Sequence, residues 1–184
     1  MKKLIVSIII VCVYVSTYAQ TSFFTKISDG KVTPCATMYG TKSLTESGKV
    51  GFTYFGLVQE NWAEAQFGLY YNPITWSQIG LSFGIEQKSE LFRTGGFVWL
   101  GKNNTSFVAL LEKGFGKDNY WYKITLNQKV GNFDLGLRGW RYTGFGPVVQ
   151  YKIGKTGLKA WVMPALGLFE SPNNSIVLGI DFKI

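Results

Sequence analysis

No histidine occurs anywhere in the 184-residue chain. That absence excludes Ser-His-Asp hydrolysis, histidine-based phospholipase chemistry and histidine metal sites. Cysteine is nearly absent too, with Cys12 and Cys35 the only two. Cys12 lies in the apolar N-terminal stretch, so Cys35 has no internal disulfide partner and no cysteine-rich metal framework exists. Cys35 reads as a small buried apolar side chain. Long apolar runs are missing after the first twenty residues. Nothing there approaches about 18 consecutive apolar residues, which excludes a helical membrane span. Phosphate-loop, dinucleotide and EF-hand patterns are also absent. The glycines of Gly114-Phe-Gly116 and Gly144-Phe-Gly146 read as turn and strand glycines. No cofactor, no metal and no catalytic role follows from these residues, and an enzyme is not expected.

Acidic residues are few, 11 against 19 Lys and Arg, giving a formal net charge of +8. The lysines are scattered singly rather than clustered. With export, that argues against nucleic acid and for solvated turns or contacts with anionic headgroups of outer-membrane lipid or lipopolysaccharide.

What is present begins with Lys2 and Lys3, an apolar stretch from Leu4 to Val15, and Thr17-Tyr18-Ala19. A basic start, a short apolar run and small residues before a cut site form a signal peptide, expected at 1–19. Residues 20–48 are rich in Thr, Ser, Lys and Gly and show no sustained alternation. They read as an N-terminal extension.

From Lys49 the texture changes to period two. The expected strands are 49–60, 62–72, 76–87, 91–101, 105–114, 120–130, 132–142, 146–153, 157–168 and 175–184. Ile79, Leu81, Phe83 and Ile85 fall on one face, and Gln78, Gly80, Ser82, Gly84 and Glu86 on the other. That is what a sheet with two different faces requires. Turn chemistry separates the segments, as at Asn72-Pro73, Gly131-Asn132 and Gly154-Lys-Thr-Gly157. No connection is long enough for a parallel crossover. The expected fold is all-β: a single antiparallel up-and-down β-barrel of 8 or 10 strands over 49–184, crossing a membrane. Segments of this length match the roughly 9–11 residues that cross a bilayer as tilted strands. Trp62, Tyr70, Tyr71, Trp76, Tyr120, Trp121, Trp140 and Tyr142 sit at segment ends, as interfacial girdles do.

The final segment ends Gly179-Ile-Asp-Phe-Lys-Ile184. It resembles the closing strand of bacterial outer-membrane barrels, although the aromatic Phe182 stands two places before the end. Together with the small all-β domain after Ala19, the chain resembles Bacteroidetes-like outer-membrane β-barrel proteins. The resemblance is at the level of class and covers 49–184. It implies a cell outer-membrane location.

Polar-face positions give the candidate site residues. A polar barrel interior is expected from Glu64, Gln66, Gln78, Glu86, Lys123, Asp134, Arg138 and Asp181. Glu60, Glu64 and Glu86 could share that face with Arg93, Lys123, Arg138 and Lys152. This reads as an interior salt-bridge lattice rather than an acid pair for general acid/base work. Arg138 and Arg141, near one strand end, are a candidate anion site. Three functions fit. The favoured one is a structural or accessory subunit of an envelope assembly, partnered by another outer-membrane protein. The alternatives are a narrow pore for small solutes and a soluble secreted barrel holding a hydrophobic ligand.

Overall fold

The computed structural model describes residues 18–88, 90–168 and 170–183. Twelve strands form one closed antiparallel barrel, each paired with its sequence neighbours and the first with the last. They are β1 (Tyr18–Ser28), β2 (Lys31–Ser43), β3 (Val50–Gln59), β4 (Trp62–Tyr71), β5 (Ser77–Glu86) and β6 (Phe92–Lys102). The second half comprises β7 (Thr105–Gly114), β8 (Tyr120–Val130), β9 (Phe133–Trp140), β10 (Gly144–Ile153), β11 (Leu158–Ala165) and β12 (Ser175–Lys183).

The count corrects the expectation of 8 or 10. The ten expected segments are β3 to β12, and the surplus comes from the stretch read as an extension. Within 20–48, most residues belong to β1 and β2. β1 pairs with β12 from Gln20↔Lys183 to Ile27↔Ile176, and so closes the ring. These two strands alternate weakly because Thr21, Thr25 and Pro34 occupy outward positions that an apolar residue would mark. Backbone pairing on both edges holds them instead. Their hairpin turns at Asp29-Gly30, where φ is positive at both residues, 49° and 71°. Two successive positive φ values define the turn whose twist suits a two-residue hairpin. The expected signal peptide lies outside the described residues, apart from Tyr18 and Ala19 at the start of β1. Ile184 lies outside them as well.

Alternation sorts the side chains into two environments. Leu81 is 70% exposed and Phe83 69%, yet both point outward from the middle of β5. Leu69, Leu111, Ile124, Leu126, Leu137, Leu178 and Ile180 continue an exposed apolar belt around the wall. At outward positions of the strands the charges are Lys42, Lys102 and Lys113, each within two residues of a strand end. A soluble barrel would have to cover such a belt. A lipid-facing barrel exposes it to hydrocarbon. The faces are therefore inverted relative to the soluble ligand-binding barrel, which corrects that alternative.

Candidate functional site in the barrel lumen

Each inward position is set by strand register, and the polar ones converge in two groups. The first spans β4 to β7. Arg93 lies between Gly84 of β5 and Gly114 of β7, so its guanidinium has room to turn inward. Its Nε donates to Glu112 Oε2 at 2.9 Å and lies 3.0 Å from Glu64 Oε2. Its Nη1 donates to Glu86 Oε2 at 2.7 Å and to Asn119 Oδ1 at 3.1 Å. The Asn119 amide donates in turn to Glu86. Trp62 Nε1 donates to Glu64 Oε2 at 3.1 Å, and its ring lies 5.6 Å from the guanidinium. Gln66, in the row of Arg93 through Gly84, accepts from Ser82 Oγ at 2.6 Å. Three carboxylates surround one guanidinium, so this wall is formally acidic.

The second group spans β8 to β12 and β1. Trp140, Val148, Trp161, Met163, Ala165 and Val177 form a buried apolar cluster inside the barrel, with Phe24 and Trp121 against it. Lys123 lies 4.8 Å over the Trp140 ring, and Arg138 lies 4.9 Å over Trp161. Asp181 accepts from Ser22 Oγ at 2.5 Å, Trp161 Nε1 at 2.8 Å and Gln150 Nε2 at 3.3 Å. Lys159 pairs with Asp134 at 2.5 Å nearer the rim that carries the chain ends. Lys123 also lies within electrostatic reach of Cys35. β2 and β8 are six strands apart in the ring, so these two inward side chains face each other across the lumen.

The eight candidate interior residues thus do not form one lattice. Glu64, Gln66 and Glu86 belong to the acidic wall. Lys123, Asp134, Arg138 and Asp181 line the opposite one. Gln78 bonds Asn72 Oδ1 at 3.0 Å, away from both groups. Glu60 sits at the β3–β4 turn, 4.0 Å from Lys31. Arg141 is separated from Arg138: it caps the far rim, pairing with Glu170 and donating to the carbonyls of Asp118 and Tyr120. The Tyr120 hydroxyl and the Arg141 guanidinium hold the Glu170 carboxyl below the usual carboxylate range. The Arg138–Arg141 anion site is therefore corrected. The girdle reading needs correction as well. Tyr71, Trp76 and Tyr142 are exposed, but Tyr70 and Trp140 are buried, and Trp62 and Trp121 turn into the lumen. Glu112 and Asn119 gave no signal, since Val108 and Leu110 make the inward face of β7 read as apolar.

No protein-family model and no curated protein matches this chain. Solved structures do resemble it. The chain is similar to a "KdgM porin" at 12% identity and TM-score 0.55, over 89% of this chain and 98% of that one. It is similar to a "NanC porin" at 9% identity and TM-score 0.58, over 89% and 100%. It is also similar to outer membrane phospholipase A from Escherichia coli at 11% identity and TM-score 0.57, over 89% and 92%. The fold is that of bacterial outer-membrane β-barrels, and the exposed apolar belt fits the hydrocarbon of the outer membrane.

Proposed function

We propose that this chain is a narrow pore for small solutes. The observation that carries the reading is a closed wall of twelve strands around a polar inward face. Thr125 Oγ1, Asn127 Oδ1 and Arg138 Nε are buried and unbonded among the described residues. In a dry, solid core each would cost about 1–3 kcal/mol. None of the three is accessible in this structure, so side-chain movements that admit water or a solute would relieve that cost. Width agrees: about eight strands are just filled by side chains, and about sixteen leave an open channel, so twelve fall between. Two of the structural neighbours are named as porins. An accessory role in an envelope assembly has no comparable support. Phospholipase chemistry does not transfer either, since the chain has no histidine base.

Planar-bilayer recording on the purified, folded chain tests the reading. Small steady steps are expected, because Lys123 projects into the lumen from one wall and the Arg93 group narrows the other. Lys123→Ala should enlarge the steps. Silent bilayers from protein that still shifts on a gel between unboiled and boiled samples would overturn the pore.

A further inference from the structure

The two lumen cations on β8 and β9 differ from the other buried charge. Arg93 is surrounded by carboxylates. Lys123 and Arg138 have no carboxylate oxygen within ion-pair distance among the described residues, and each is held over a tryptophan face. Arg138 is 6% exposed, and its Nε makes no hydrogen bond. A carboxylate does stand nearby. Asp181 acts electrostatically on both cations, but its oxygens are occupied by the neutral donors of Ser22, Trp161 and Gln150.

Register sets the unbonded groups side by side. Thr125 pairs with Arg138, Asn127 with Gly136, and Lys123 with Trp140. A Cβ at Gly136 would run into the Leu126 carbonyl and the Asn127 side chain, so glycine there makes room for Asn127 on the strip. Lys123, Thr125 and Asn127 thus descend one wall with Arg138 beside them. At the level of these two cations Asp181 offsets one, leaving one formal positive charge in excess there; Lys129, next on the same face, stands nearer the rim beside the Lys159–Asp134 pair. Donors on Lys123, Thr125 and Arg138 suit an acceptor-only group carrying one negative charge.

We infer that this strip binds a small monocarboxylate and makes the pore favour anions. The inference rests on the pore reading for solute access, but binding is measurable without conduction. The acidic Arg93 group does not oppose it directly, because Arg93, Trp62 and Asn119 engage its carboxylates.

The test titrates acetate into the detergent-solubilised, heat-modifiable barrel by calorimetry at low salt. One acetate per chain is expected. Arg138→Gln and Lys123→Met should each weaken it about tenfold or more, the scale of a lost hydrogen bond to a charged group. Lys123→Arg should restore most of the affinity. In a parallel arm, the reversal potential in a potassium chloride gradient should favour chloride, and both neutral variants should reduce that preference. Acetate binding without conductance would support the strip and overturn the pore. Conductance without acetate binding, or with a preference for potassium, would overturn the strip and leave the pore standing. Binding of inorganic phosphate but not acetate would overturn the assignment to a monocarboxylate. Binding that survives both neutral variants would place the anion elsewhere and overturn the strip.

Discussion

At the scale of single residues, Arg93 has the greatest structural consequence. Its guanidinium satisfies carboxylates from β4, β5 and β7, so it ties four consecutive strands together inside the wall. Glu86 is 1% exposed, and beside Arg93 it has the neutral Asn119 amide as a side-chain donor. Arg93→Met would leave three buried carboxylates facing one another. A loss of about 3–5 kcal/mol is expected, as when one partner of a buried pair is removed. Urea unfolding of the barrel in vesicles would measure it. Glu112→Gln should cost far less, because an amide oxygen still accepts from Nε and like-charge repulsion falls. A variant Arg93→Met as stable as the parent would mean that the carboxylates are not buried as described. Part of this group was legible from spacing. Glu64 and Glu86 share the period-two face of their strands, and Arg93 stands at the start of the next. Glu112 was hidden because β7 is apolar on both faces, through Val108 and Leu110 inward and Phe107, Ala109 and Leu111 outward. Trp140 was misassigned for a related reason: an aromatic at a segment end reads as interfacial, whereas its register with Lys123 turns it inward.

At the scale of elements, the contrast between β5 and the β1–β2 hairpin shows what periodicity can reveal. From Gln78 to Glu86, β5 sets large apolar groups against Gly, Ser, Gln and Glu, and its limits follow to within a residue. β1 and β2 place Thr and Pro outward, so lipid-facing positions lose their mark. The better signal was local. Asp29-Gly30 is a two-residue turn sequence, and it joins two runs that contain Phe23, Phe24, Ile27 and Val32. Strand pairing over long sequence separation, as between Ser22 and Asp181, has no trace in a single sequence. A chain starting at Lys49 would lack β1 and β2, leaving β3 and β12 with open edges. Unpaired edges are not tolerated within hydrocarbon. That chain is expected to show no gel shift between unboiled and boiled samples, whereas one starting at Gln20 keeps the shift. Heat-modifiability in the shorter chain would mean that ten strands suffice to close the wall.

At the scale of the whole molecule, the inversion of inside and outside makes one measurement discriminating. Leu81 is among the most exposed side chains of the structure. On a soluble protein, a surface substitution there would fall within about ±0.5 kcal/mol. Facing hydrocarbon, the same position should behave oppositely. Leu81 lies at the middle of β5, with Ile79 and Phe83 beside it on the outward face, so Leu81→Arg sets a charge at mid-depth. A cost of about 2–4 kcal/mol is expected there, falling to about 0–1 near the interfaces. Thr94→Arg, outward but near the start of β6, should therefore cost little. Reversible unfolding of both variants in lipid vesicles supplies the comparison. Equal, small costs at the two positions would contradict the lipid-facing belt, and with it a lumen that must carry all of the chain's buried polarity. A depth-dependent difference would tie the apolar wall to the bilayer and leave the polar strip of β8 and β9 as the route by which a solute could cross it.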